Sequence, residues 1–316
     1  MKSTSTAAVV AGRRSIPPPR SAAPRRRRPG RYRSAPVVLA AVNIVMFLLF
    51  FVWPGALGLL YSFTDYRGFG QPDFVGLDNY RTLFGDTDFY AALGRTAVYV
   101  VLSVPLTYVL SLLVAVLLVS RFARGTTVAK VVFFFPWLIS PIVTGVIWRW
   151  LFGENFGFVN FVLGTLGVSE VKWSSDGDLA LAVVVLATAW GGTAFNMLLF
   201  IAALRNVPTS YYEAAELDGA NGWERFRHIT LPAIAPTSFM VILLATINAT
   251  KEFAMVQALN GGGPGTDNRL IVQYIYETGF KRAEVGYASA VSMVLMAILL
   301  VVALVQMRLG RGRGAS

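Results

Sequence analysis

The sequence predicts an all-α, polytopic membrane protein with six transmembrane helices, and three observations point there. Hydrophobic residues fill 55% of the 316 positions and charged residues only 14%, too few charges to clothe a soluble globule of this size. Six uncharged runs along the chain are each long enough to cross a hydrocarbon core. The basic residues are shared unequally among the segments joining those runs, which gives the chain an orientation. Composition also excludes other classes. With no cysteine and a single histidine, His228, the chain can build no disulfide, no thiolate site and no histidine cluster for a metal.

Residues 1–35 hold ten of the 28 Lys and Arg residues and no acidic residue, a composition that predicts a disordered cytoplasmic tail. The run Arg25 to Arg28 has the charge for nucleic acid, but beside a span it fits anionic membrane lipid, so no nucleic-acid partner is expected. The first uncharged run, Ser34 to Thr64, is 31 residues long, far beyond the apolar core of a signal peptide. It stays as the first span, over 36–62. The runs Thr96–Ser120, Val131–Trp148, Leu179–Leu204, Ile229–Thr250 and Val285–Met307 predict spans over 96–120, 131–151, 179–204, 232–256 and 285–307. The third run, at 18 residues, is the shortest. A six-span domain over 36–308 thus lies between the basic tail and a short carboxyl tail, 309–316.

An even number of spans puts both termini on one side. That side, with the 120–130 and 205–232 loops, holds 19 of the 28 basic residues and the opposite side nine. The positive-inside rule makes both termini and the 205–232 loop cytoplasmic, in a cell membrane.

The polar island Tyr211–Pro232 is the chain's most informative stretch. Ser210 with Glu213, and Asn221 with Glu224, have capping-box spacing, which predicts one helix from Tyr211 and a second after Asn221. Gly219 supplies the left-handed residue between them. Pro232 suits the first turn of the next apolar helix, having no amide proton to lose there. Glu213-Ala214-Ala215, Gly219, Ile229 and Leu231-Pro232 resemble, at every fixed position, the EAA signature of binding-protein-dependent ABC importer permeases. The resemblance implies that this loop, with Asp218 inside it, docks on a cytoplasmic ATPase subunit. The residue types agree with that role: small alanines allow close approach, Gly219 a sharp turn, and Glu213 a carboxylate for a basic partner.

The loops on the other side add to the resemblance. Phe74–Tyr80 is similar to a stretch after the first span of sugar-importer permeases, and together with Phe89–Leu93 it predicts short interfacial helices. Asn155–Asn160 resembles that family's turn after the third span. Asn260–Thr266 is glycine-rich, but no Lys-Ser or Lys-Thr follows and no strand precedes it, so it is not a phosphate-binding P-loop. It resembles the GGP loop of the half related to the larger maltose-transporter permease subunit. The resemblance covers roughly residues 36–308.

Polar groups inside spans are costly unless paired or wet. Asn248, Lys251 and Glu252 lie toward one end of the fifth run, and Asn196 lies in the middle of the fourth. Lys251 and Glu252, about 100° apart on a helix, cannot both face one neighbour. Asn196 is explained equally by a helix-to-helix bond and by substrate contact. Phe195 and Phe253 are the aromatic faces available to a sugar ring. Arg149, between Trp148 and Trp150, reads as a side chain snorkelling to headgroups. The expected substrate path is therefore Asn196, Asn248, Lys251 and Glu252.

The resemblance implies a permease subunit for a carbohydrate, paired with a second permease subunit, two ATPase subunits and an extracellular solute-binding protein. The chain has no Walker motif, so it is expected to be no enzyme and to hold no cofactor or catalytic residue; ATP is used by the partner subunits. Glycerol phosphate or another polar solute is the alternative cargo. A secondary transporter would want buried carboxylates, and only Glu252 qualifies. A membrane hydrolase would want a histidine within the membrane, and His228 lies at its cytoplasmic edge.

Overall fold

The computed structural model describes residues 35–120 and 125–311. The expected disordered tail, and Arg121 and Arg124 of the 120–130 loop, lie outside them. The described residues are helical, without a strand; Thr64 and Phe74 share one isolated antiparallel bridge. The chain divides into two compact units, Met1–Pro54 and Gly55–Ser316. The first holds α1 (Ala35–Phe47) and a π-helical turn, Leu48–Val52, which leads into α2 (Trp53–Tyr61).

Four helical stretches are long and apolar enough to cross a membrane: Val37–Tyr61, Thr87–Val119, Gly177–Arg205 and Val285–Gly310. Two further pairs qualify only if each bent pair is one span, which brings the number to six. The first pair is α5 (Thr126–Leu138) and α6 (Pro141–Leu151), bent by 101°. The third span was expected as one helix over 131–151, and the break has a local cause. Pro141 has no amide to donate and its ring disfavours helical backbone at the residue before it, so Ser140 turns extended with ψ 141°.

The second unit is built on α4 (Thr87–Val119) and α8 (Gly177–Arg205), which pair more extensively than any other two helices. Gly192 permits their approach, since a Cβ there would lie 2.9 Å from the Thr107 methyl. In a bilayer the lipid is as apolar as a leucine, so small residues at crossings carry helix association. α4 begins nine residues before the expected span because the Asp86 carboxylate accepts the Asp88 and Phe89 amides. Phe89–Leu93, expected as a separate interfacial helix, is therefore the start of α4. The other expected interfacial helix shifts as well: α3 runs over Asp78–Gly85, and Val75 instead donates to the Phe63 carbonyl at 2.9 Å.

After α7 (Phe158–Thr165) and α8 come α9 (Thr209–Leu217), α10 (Gly222–Arg225), a π turn over Phe226–Thr230, α11 (Leu231–Ala233) and α12 (Ala235–Thr250). Gly222–Ala233 and Ala235–Thr250 are bent by 69°. Pro232 lies in the last turn of the loop helix, not the first turn of the span, and Pro236 takes that place in α12. The fifth span, expected over 232–256, stops at Thr250. α13 (Ala254–Leu259), α14 (Ile271–Tyr276), a π turn over Glu277–Lys281 and α15 (Val285–Arg311) complete the chain, α15 reaching into the expected carboxyl tail.

Candidate functional site

A cavity of about 530 Å³ opens between α4, α8, α12, the break at Ser140 and the break between α12 and α13. Asn196, Asn248, Lys251 and Glu252, four residues singled out separately, all line it. The break after Thr250 explains how Lys251 and Glu252 reach one space: they are not neighbours on one helix, because Lys251 ends α12 and Glu252 precedes α13. The Glu252 carboxylate accepts the Phe253 and Met255 amides at 3.1 Å each, which holds the start of α13. Phe195 lines the cavity and stacks on Trp137 at 4.9 Å. Phe253 does not: it packs on Tyr276 at 5.0 Å.

The cavity also has polar residues that carry no mark in the sequence. Ser103 and Thr107, one turn apart on α4, and Thr144 on α6 line it. Their spacing puts the first two on one helix face, but in an apolar span nothing in the sequence says what that face meets. The Ser103 hydroxyl is buried with no hydrogen-bond partner. Among the described residues, the side chains of Asn196, Asn248 and Lys251 donate to and accept from no other group either. Their neighbours behave differently, since Thr193, Thr246 and Thr250 each return the hydroxyl to a carbonyl four residues back. Asn196 thus makes no helix-to-helix bond. The cavity presents unspent donors and acceptors beside an aromatic pair, in a space for a small polar molecule.

The 209–233 hairpin lies at the other end of α8 from Gly177. Its first helix starts at Thr209, and the expected Ser210–Glu213 box does not form. Val207 before Pro208 is kept out of helical backbone, so the helix begins directly after the proline and Ser210 falls inside its first turn. The turn is as expected: Gly219 has φ +78°, its amide reaches the Glu216 carbonyl at 3.2 Å, and the Ala220 amide the Ala215 carbonyl at 2.9 Å. The Asn221–Glu224 capping box is complete. Arg225 and Glu216 tie the two arms at 3.3 Å. The residues that carry the resemblance divide by face. Ile229 and Leu231 pack with Tyr212 and Phe226 on a core of Phe200, Met197 and Ile234. Glu213, Ala214, Asp218 and Gly219 are exposed, with Leu217, 90% exposed, and Trp223 beside them.

At the Gly177 end of the bundle, polar groups are paired across long sequence separations. Arg95 donates to Asn268, Asp178 and the Gly177 carbonyl at 2.9 to 3.1 Å. Buried Arg269 bridges Asp88 at 3.2 Å and Glu277 at 3.5 Å. Asp86 accepts from the Tyr274 and Tyr287 hydroxyls. Burial raises its pKa, but those two bonds and the Asp88 and Phe89 amides outweigh burial and hold it below the ordinary aspartate value.

Residues 88–313 match the family described as binding-protein-dependent transport system inner membrane component. The chain belongs to that family. This permease is 34% identical over 279 residues to the arabinooligosaccharides transport system permease protein AraP of Bacillus subtilis (strain 168), over 88% of each chain. It is 34% identical over 277 residues to the sn-glycerol-3-phosphate transport system permease protein UgpA of Brucella abortus biovar 1 (strain 9-941), over 86% of this chain and 93% of the relative. A crystal structure of a bacterial ABC transporter involved in the import of the acidic polysaccharide alginate contains a chain of the same fold, with TM-score 0.75 at 22% identity, over 88% of this permease and 96% of that chain. The permease is a transport component and not an enzyme.

Proposed function

We propose that this permease is one of two non-identical halves of an ATP-driven importer, and that its cavity is the passage for a carbohydrate. The observation that carries the reading is the set of unpartnered polar side chains around the cavity, Ser103, Asn196, Asn248 and Lys251, facing the same space as the Trp137–Phe195 pair. A sugar leaving water needs a replacement partner for each hydroxyl and an apolar surface for its ring face. Relatives named for arabinooligosaccharides and for starch degradation products support the same cargo class. On this reading an extracellular binding protein delivers the sugar, and the exposed face of the hairpin meets one of two cytoplasmic ATPase subunits, which bind the ATP. Closure of the ATPase pair moves the hairpin, and α12 follows because Ile229, Leu231 and Ile234 anchor the hairpin to its core. Both termini are cytoplasmic.

The test is uptake into vesicles holding the assembled importer, normalised to the amount of intact complex. Asn196→Ala and Lys251→Ala should lower normalised uptake about tenfold each, the worth of one or two hydrogen bonds to a passing sugar, and leave assembly unchanged. Gly219→Val, strained at φ +78° with nothing within 4 Å of its side chain, should insert normally but uncouple ATP hydrolysis from substrate. Wild-type normalised uptake in both cavity variants would remove those residues from the passage.

A further inference from the structure

A second chamber, about 350 Å³, lies at the Gly177 end of the bundle, between the last turn of α6, the start of α8, α13 and the glycine loop at 260–264. Three helices pass both spaces. α8 gives Val183 to this chamber and Ala187 to the cavity, α13 gives Leu259 and Met255, and α6 gives Arg149 and Thr144. The pairs on α8 and α13 are each four residues apart, about one turn, so the two spaces follow one another along those helices.

Arg149, though exposed, lines the chamber. It lies four residues after Gly145, hence on the same face of α6, and that face meets α13: a Cβ on Gly145 would be 2.5 Å from the Met255 carbonyl oxygen. The arginine expected to snorkel to lipid thus lines a space shared with Gln257 and Asn260. Among the described residues it has no acidic partner, unlike Arg95 and Arg269, the two arginines that pair across the same end of the bundle. Among the described residues, no carboxylate lines the chamber. Glu154 is not part of the lining; burial alone would raise the pKa of its carboxylate. Its two oxygens are taken by the Ser174 and Ser175 amides and the Ser175 hydroxyl, and these bonds outweigh burial and hold the pKa down. Two aromatic walls are fixed in place. The Trp173 indole donates to Asn160 at 2.8 Å, and Phe152 meets it edge-on at 5.1 Å while stacking on Trp148.

We propose that this chamber is a second subsite on the same route and takes a sugar or polyol bearing a carboxylate or phosphate. Arg149 pairs with the anion through its planar fork of donors, and Trp173 and Phe152 cover the apolar face of the ring. The proposal rests on the cavity being the passage, but its test does not use transport.

The chain has no cysteine, so Ser174→Cys places a single reporter at the chamber wall. The full chain in lipid nanodiscs is titrated with glucuronate, with glucose, and with inorganic phosphate, and the rate of maleimide labelling is read. Glucuronate should slow labelling at about tenfold lower concentration than glucose, the factor one charge-assisted hydrogen bond supplies, and phosphate should compete with it. Adding Arg149→Gln should make the two sugars equal, and Arg149→Lys should give an intermediate preference. Arg81→Gln, the same charge loss at an exposed ion pair, should leave the preference intact. Discs with and without phosphatidylglycerol separate solute from headgroup. Slowed labelling by the anionic lipid alone makes Arg149 a headgroup anchor and overturns the proposal. So do equal potency of the two sugars, absence of protection by either, or a preference that survives Arg149→Gln. Wild-type uptake in the cavity variants would remove the passage reading while leaving the labelling result standing.

Discussion

The Gly177 end of the bundle and the cavity beside it use polar side chains in opposite ways. At the end, Asp86, Asp88, Arg95 and Arg269 bond to residues near positions 178, 268, 277 and 287, and these bonds hold segments far apart in sequence in one arrangement. In the cavity, Ser103, Asn196 and Asn248 lie on the long helices and, among the described residues, their side chains bond to nothing. On the proposed reading of the cavity, the contrast is what a passage requires. A group already satisfied by the protein cannot take over a hydroxyl from water, so a scaffold closes its polar bonds and a route leaves them open.

The comparison breaks or sharpens in measurable ways. Arg269→Met removes the centre of a buried ion pair and should lower the stability of the detergent-solubilised chain by on the order of 3 kcal/mol, read from thermal unfolding. A loss no larger than that of Asn196→Ala would erase the distinction between the two regions. Gly145→Ala comes next. Its methyl would overlap the Met255 carbonyl oxygen, and forcing α6 from α13 should cost about 1–3 kcal/mol and change access to both spaces, measured by unfolding and by cysteine labelling.

Acid should loosen the scaffold. Because Asp86 is held below its ordinary value when folded, its contribution is present above that value and is lost as pH falls through the folded one. Unfolding temperature should therefore drop below about pH 4, and Asp86→Asn should flatten that part of the profile. A profile unchanged by Asp86→Asn would show that other carboxylates carry the acid sensitivity. The smallest stability effect belongs to the cavity. Ser103→Ala removes a hydroxyl without a partner and should shift stability by no more than about 0.5 kcal/mol while reducing uptake. Destabilisation as large as that of Gly145→Ala would mean Ser103 is a scaffold residue.

Much of this is legible along the chain. The uncharged stretches mark where helices cross a membrane, because a charge in hydrocarbon is costly whatever the fold. Gly219 and the Asn221–Glu224 pair set the turn and second arm of the hairpin, because φ above zero and a capping box are properties of a few adjacent residues. Asn196, Asn248, Lys251 and Glu252 stand out by polarity alone, and the cavity unites them.

Facing is not legible in the same way. Spans are apolar on every side, since lipid and helix neighbours ask for the same residues, so no periodicity says which way Arg149 or Ser103 points. Only the packed helices decide that Arg149 lines one space with residues of α13 and that Phe253 leaves the cavity while Trp137 enters it. The breaks at Ser140 and Lys251 lie inside or beside uncharged runs that read as whole spans, and they bring Thr144, Lys251 and Glu252 around one space. Local chemistry acts through neighbours in the chain and can be read along it. The meeting of residues 103, 144, 196 and 251 depends on crossing angles and bends, which no single segment contains.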